Sequence, residues 1–539
     1  MLERWTRYWS PPGGRIAAGV VRIALAISAL IVLAHAIDSP FIYAPGTVDP
    51  HVYHPIGVLM VFRAPPPAIV ITLAWHVGRV AAVAMLLGLG SRLAGALTTL
   101  CTLIISAQIM SYQAGWSHDL NVVQLALIAF LGARGGDAIA LDRVIARWRG
   151  RPVPEAAHYQ WSLRLVQLAV GLMFVSACTA KLATGGVHWA LSDNLRHQIL
   201  VRYDLLNNAA RPAIVDWILE RSWRYQGAAC LNLISQAAPL AAILFARRPW
   251  IRALGGMFFV IEVAALAVVM QLSNPSWFPL AAVFVDWDRL WAFVRRAPLP
   301  EAAAPSAPLS RPVLWFIAAF VTVDLLTSFV PRLDRRLRTF PFSQFPMFSN
   351  VRAKRPYADH QSYEVVAGRV ELIADQPVPP DIQVAINRYY SYRSLPSETN
   401  GEALHHRCVT ALAELRERYP ALGVHGVRVL ATVFQVAPYP APAQFDRIDL
   451  GVLGELREGA WVSYLHELPT RGTSFGPLPA GATATLFRNG LAAPARTTGD
   501  QIAFPDDRSV IDVVAPMPGA DGQPRPFVLA RRAGHTEVL

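Results

Sequence analysis

Apolar residues are unevenly distributed along this 539-residue chain. They gather in long runs between about residues 16 and 331, separated by short polar or Gly/Pro-bearing breaks. A helix needs roughly 20 mostly apolar residues to cross the hydrocarbon of a bilayer. Nine runs meet that length: 16–37, 67–89, 92–112, 119–138, 161–182, 226–246, 251–271, 275–293 and 312–331. Breaks such as Gly90-Ser91 and Ser273-Asn274-Pro275 predict tight antiparallel hairpins. The eighth run is the least regular, because Asp286 and Asp288 fall in its second half. The pattern changes beyond residue 332. Tyr363–Ile373 and Val427–Val436 read as strands, Ala403–Arg418 as a helix, and Pro438–Pro442 as a turn or edge. The expectation is an α-helical polytopic membrane domain of about nine spans (residues 1–332), followed by a smaller α+β soluble domain (333–539).

Composition agrees with this pattern. Only 16% of residues are charged and 53% are apolar, whereas globular chains average about 25% charged. That excludes a disordered chain and removes the nucleic-acid reading of the +12 net charge. In a membrane protein, Lys and Arg mark cytoplasmic loops. Arg4, Arg7 and Arg15 precede the first run, and Arg134, Arg143, Arg147, Arg149 and Arg151 follow the fourth. Arg247, Arg248 and Arg252 follow the sixth, and Arg295 and Arg296 the eighth. The link from Tyr112 to Asp119 has no Lys or Arg. This alternation places the N-terminus in the cytoplasm and the C-terminal domain outside, the periplasm if the membrane is a bacterial inner membrane. Two segments run against the rule. Residues 184–224 carry Arg196, Arg202, Arg211, Arg221 and Arg224, and Arg332–Arg338 holds four arginines. The first, with Leu195, Ile199, Leu205 and Leu206 at helical spacing, reads as an amphipathic stretch on the outer surface.

The four cysteines form no CxxC pair, His405-His406 has no further ligands nearby, and the tail carries no GxSxG, P-loop or HExxH. No metal is expected. Ionisable residues inside the apolar runs are costly and therefore candidates for function. They are Arg22, His76, Arg79, Arg164, Lys181, Glu262 and Asp324, with His118 and Asp119 at the mouth of the fourth run. Arg22 and Arg79 also read as ion-pair partners for Glu262 or Asp324, and Arg164 as a side chain snorkelling to the cytoplasmic face. Lys181 closes the fifth run, and the topology puts it and His118 at the outer face. A lysine held against apolar surface is destabilised in its charged form, which makes it a usable general base near neutral pH. An interfacial snorkelling lysine would occupy the same position.

Several segments together resemble one family. Met85–Leu93, with Gly88, Gly90, Ser91 and Arg92, resembles a hairpin of the vitamin K-dependent gamma-glutamyl carboxylases, which share the horizontally transferred transmembrane (HTTM) domain. Trp116-Ser117-His118-Asp119 is similar to that family's short outer loop. Ala177–Trp189, with Ala180-Lys181-Leu182, resembles the segment holding its catalytic lysine, and Pro341–Ser349 its Pro/aromatic/Met stretch after the last span. The resemblance covers about residues 15–350. It implies a reduced quinone as cofactor, deprotonated by Lys181 with His118 assisting through a hydrogen bond. Oxygen then yields a strong base that takes a proton from a protein glutamate, and carbon dioxide adds to the carbanion. Two positions depart from the family. Ala180 stands where the carboxylase has a second lysine, and Glu262 where many relatives have histidine. Glu262 thus reads as a proton relay or as a structural ion pair with an arginine such as Arg79. The tail is also shorter than the carboxylase's luminal region, with no evident propeptide-binding element.

Three functions follow as expectations. One is a quinol-dependent carboxylase-like lyase or epoxidase acting at the outer face on a protein or peptide. The second is a quinone-binding redox protein. The third is a non-catalytic membrane scaffold whose tail binds a partner.

Overall fold

In this computed structural model the described residues are 8–36, 53, 55–62, 64–112, 119–151, 158–200, 202–203, 209–246, 248–296 and 309–330, parts of 339–349 and 372–427, and a set of strands between 362 and 532. Among them, seven helices are long and apolar enough to cross a membrane. They are α1 (Arg15–His35), α2 (Ala68–Leu87), α3 (Ser91–Ser111), α6 (Gln160–Gly185, extended by a 3-10 turn to Trp189), α9 (Ser222–Leu244), α10 (Pro249–Val269) and α12 (Arg311–Phe329). Shorter helices lie between them: α4 (Asp119–Ala129), α5 (Leu141–Trp148), α7 (Asn194–Leu200), α8 (Ala213–Leu219) and α11 (Trp287–Val294).

Seven of the nine apolar runs thus form long helices. The fourth and eighth form short ones, for local reasons. Gly132 (φ 75°), Gly135 and Gly136 follow α4 and end it. Pro275 and Pro279 hold the eighth run as a 3-10 helix, Pro275–Phe284. Both segments nevertheless bring the chain back. The Asp142 carboxylate accepts the Gly90 N–H at 2.7 Å and the Ser91 N–H at 2.8 Å, so residues 119–142 return along α3 to its start. Asp286 pairs with Arg252 at 3.1 Å, returning the chain to the start of α10.

The helices are not equally central. In α6 and α1, 72% and 67% of the most apolar window is buried, against 28% in α12. Lipid or a partner must therefore cover the outer faces of the walls, while α6 and α1 form the centre. Close approach around α6 depends on small residues. A Cβ on Gly171 of α6 would lie 2.5 Å from Ile243 Cδ1 of α9, and one on Gly255 of α10 would lie 2.7 Å from Ala242 Cβ of α9. Such contacts let backbones approach where lipid offers no hydrophobic drive between helices. Phe174, Phe259, Phe284 and Trp277 fill the remaining space with edge-on or tilted ring contacts.

Charges near the helix ends are used internally. Arg22 is 1% exposed. It donates to Gly135 O at 3.1 Å, Leu86 O at 2.9 Å, Ile139 O at 2.5 Å and Met85 O. It thereby satisfies carbonyls that the end of α2 leaves open. The expected pairing of Arg22 with a buried carboxylate is therefore corrected: backbone oxygens take all of its described hydrogen bonds. Asp288 accepts the Ile16 and Ala17 N–H groups at the start of α1. Asp142 serves the start of α3 in the same way. Burial pushes its carboxyl up, but the Ser91 N–H and hydroxyl, the Gly90 N–H and the Arg22 charge outweigh it, and the net direction is down. Arg164 is also corrected. It is 5% exposed and stacks 4.5 Å over the Tyr8 ring rather than snorkelling to water.

The 184–224 stretch differs from its expected place on the surface. α7 buries Leu195 and Ile199 together with Asn194, His197 and Gln198. Asn194 donates to Trp189 O inside the bundle, so amphipathic spacing did not mark a free surface. α8 fits the expectation better, burying Val215 and Ile218 and exposing Ile214 and Trp217. Leu205 and Leu206 lie outside the described residues.

Beyond residue 361 the described elements are mainly strands. The strands β1 (Ser362–Ala374), β2 (Val424–Val436), β3 (Phe445–Arg457) and β4 (Ala460–Ser463) form an antiparallel sheet in that order. Both expected strands are in it, and 412–418 is helical, within the expected helix. A second sheet pairs 524–532, 510–518, 483–488 and 491–494.

Candidate functional site

α6, α9 and α10 meet at a buried polar cluster in apolar surroundings. Lys181 is 1% exposed, as is Glu262. Between them stand two carboxamides from α9, Asn232 and Gln236. Their i, i+4 spacing puts them on one helix face. Lys181 Nζ donates to Asn232 Oδ1 at 2.6 Å and to Gln236 Oε1 at 3.1 Å. Asn232 Nδ2 and Gln236 Nε2 donate to the same Glu262 oxygen, Oε1, at 2.6 and 2.8 Å. The carboxylate can only accept, so it fixes both amides with their oxygens toward the lysine.

The same small residues that pack the helices place this cluster. Gly171, Cys178 and Lys181 share a face of α6, while Gly255 and Glu262 lie seven residues apart on α10. Trp189 closes the site: Nζ lies 4.4 Å from its ring centroid, a cation–π distance. The Trp189 indole N–H donates to Phe348 O at 2.8 Å, and Asn194 donates to Trp189 O at 3.3 Å. At its other end the 341–349 stretch is held by Asn121 of α4. That amide donates to Pro341 O at 2.8 Å and to Ser343 Oγ at 3.0 Å.

Lys181 and Glu262 are therefore brought together, though through amides. The ion pair of Glu262 with Arg79 is not formed. Arg79 faces outward on α2 and stacks 4.7 Å over Trp75. Asp324 is buried on α12 and, among the described residues, joins neither arginine and has no hydrogen-bond partner for its Oδ2. His118 lies outside the described residues, as do His405 and His406. Among the described residues no group of three His, Cys, Asp or Glu is placed to hold a metal ion. Asn232 and Gln236 were missed in the sequence. The signal for them was two amides one helical turn apart inside an apolar run.

Chemically, the cluster is a lysine with fixed acceptors and a nearby counter-charge. A neutral amine at Nζ can donate both N–H groups to the two amides and keep one lone pair for an incoming proton. The resulting ammonium faces the Glu262 carboxylate through the same amides. The half-buried Asn232 and the exposed apolar Leu182, Leu231 and Ile234 border the site.

No protein-family model matches this chain, and no curated protein or solved structure is detectably similar to it.

Proposed function

We propose that this chain is an integral membrane enzyme of the gamma-carboxylase-like HTTM type, with Lys181 the base that takes a proton from a reduced quinone. The observation that carries this reading is the arrangement Lys181–Asn232/Gln236–Glu262, buried in the bundle and bordered by lipid-facing apolar residues. A bound reduced quinone supplies the acidic hydroxyl and, with oxygen, the strong base needed for carboxylation or epoxidation. The chain's own part is to hold and move a proton. Lys181 Nζ accepts it, Asn232 and Gln236 fix the amine, and Glu262 stabilises the ammonium that forms. Electrostatic groups placed in advance, in a site that excludes water, are the largest single source of such stabilisation. His118 assists at the mouth of α4, close in sequence to Asn121, which anchors the 341–349 stretch.

In this reading nine crossings place the N-terminus in the cytoplasm and the C-terminal domain in the periplasm of a bacterial inner membrane. The seven long helices, and the two short segments whose ends return to Gly90 and Arg252, support that count. A protein or peptide substrate meets the site at the outer face.

Membranes containing the chain, given reduced quinone, oxygen and labelled bicarbonate, test the reading. Label enters protein in the wild type and is abolished in Lys181→Ala at equal expression. No label in the wild type defeats carboxylation. If quinone also fails to bind the purified protein, the scaffold reading replaces it. One observation favours a second reading, quinone binding without carboxylation: Ala180 stands where the carboxylase has its second lysine. Quinone binding with no labelled product selects that reading.

A further inference from the structure

A second polar site lies at the other end of the bundle, where α2 turns into α3. A cavity of about 330 Å³ is lined there by Ser91, Arg92, Arg134, Asp137, Asp142 and Arg143, among others. That volume lies in the range of small-ligand sites. Both carboxylates are already engaged. Asp137 accepts from Arg134 at 2.7 Å and from Tyr159 at 2.9 Å, and Asp142 holds the start of α3. Arg92 and Arg143 have no hydrogen-bond or ion-pair partner among the described residues. Besides Arg134, which is held by Asp137, two guanidinium groups without a partner therefore line a cavity whose carboxylate oxygens are engaged by other donors.

The surroundings are those of a membrane border. α2 has 20 residues, about 30 Å of rise, so its end at Leu87 coincides with the edge of the hydrocarbon. α5 carries Arg143 on one side and exposes Leu141, Val144 and Trp148 on another, with Trp148 86% exposed. An amphipathic arginine-bearing helix with an outward tryptophan lies in the interfacial plane. Below the cavity Leu89, Leu93 and Leu100 form an exposed apolar column on the α2–α3 turn and α3.

We propose that this cavity binds a phosphate group through Arg92 and Arg143, and that the apolar column beneath it makes an anionic phospholipid its source. Guanidinium groups suit phosphate because their fork matches two of its oxygens. The site is separate from Lys181 and independent of the quinone reading.

The full chain in neutral detergent tests this by native mass spectrometry with added phosphatidylglycerol or phosphatidylcholine. Wild type retains phosphatidylglycerol in preference to phosphatidylcholine. Arg92→Gln/Arg143→Gln weakens that retention about tenfold or more. Arg147→Gln/Arg149→Gln, which removes equal charge from exposed positions outside the cavity, does not. Phenylglyoxal mapping of the unmutated chain needs no variant to fold. Phosphatidylglycerol slows modification of Arg92 and Arg143 several-fold and leaves Arg147 and Arg149 unchanged. Equal protection by inorganic phosphate alone supports the phosphate site and makes its source soluble. Equal binding of the two lipids, equal loss in both double variants, or no selective protection overturns the proposal.

Discussion

The coupling between Lys181 in its ammonium form and Glu262 can be measured, because the structure puts one carboxamide layer between the two groups. Nζ to Asn232 Oδ1 is 2.6 Å, and Asn232 Nδ2 to Glu262 Oε1 is 2.6 Å. With an amide between them the charges stand about 5–7 Å apart. At an effective dielectric of about 20, Coulomb attraction at that separation is about 2–3 kcal/mol. Lys181→Met removes the cation and strands the carboxylate, a change that costs about 3–5 kcal/mol when a buried pair is broken. Glu262→Gln keeps the shape and removes the anion, at about 2–3 kcal/mol by the same Coulomb figure. The double variant leaves neither charge to strand. It should lose about 2–3 kcal/mol less than the two single losses combined. The assay is the midpoint of SDS unfolding in mixed micelles, followed by tryptophan fluorescence, for wild type, both single variants and the double. Losses that add to within about 0.5 kcal/mol mean independent sites. That result would refute a charge pair relayed through Asn232 and Gln236, and with it the role given to Glu262.

The remaining predictions concern the frame around the site. Arg22→Met should cost about 3–5 kcal/mol in the same micelle assay, because four carbonyls lose a buried charged donor; a loss below about 1 kcal/mol would show that water replaces the guanidinium. Asp142→Asn should cost about 1–3 kcal/mol, since three hydrogen bonds to a carboxylate at the start of α3 are weakened. The Asp142 carboxyl is held below its unfolded value of about 4, so its contribution is complete above that pH and disappears as pH falls through the lower folded value. Melting curves from pH 3 to 7 should therefore converge for wild type and Asp142→Asn at the acid end. Gly255→Val should force α9 and α10 apart, because a Cβ already meets Ala242 Cβ at 2.7 Å. About 1–3 kcal/mol of stability is lost to overpacking, and if the quinone reading holds, turnover should fall more than in Gly95→Val, where a Cβ meets nothing within 4 Å.

Much of the membrane part was legible, since a long apolar run has few alternatives to a helix. The length of a run was less informative where glycine or proline broke it. Gly132, Gly135 and Gly136 shorten the fourth run, and Pro275 and Pro279 tighten the eighth. Lys181 was legible because a cation in an apolar run stands out. Its partners were not, because hydropathy reading ranks residues by ionisable charge and treats amides as background. Arg22, Asp142 and Asp288 were visible as charges but not as caps. Their partners are backbone atoms 51 to 272 residues away, and backbone atoms leave no trace in residue type.

The two halves of the helical region use charge in different ways. At the end of the bundle near Gly90, the buried Arg22 and the Asp142 carboxylate bind main-chain atoms and fix helix ends, while Arg92 and Arg143 keep spare donors at the cavity. Around Lys181, the charged groups bind side-chain amides. A cap needs only a buried, stationary partner, and backbone provides it at no rotamer cost. A site that takes up and releases a proton needs acceptors that stay oriented in both charge states. Amides meet that requirement without titrating themselves, provided something fixes their flip. Glu262, accepting both amide N–H₂ groups at one oxygen, does so. On the proposed quinol reading, replacing both amides with leucine should lower quinol-dependent turnover more than any single cap removal, even where stability losses are equal.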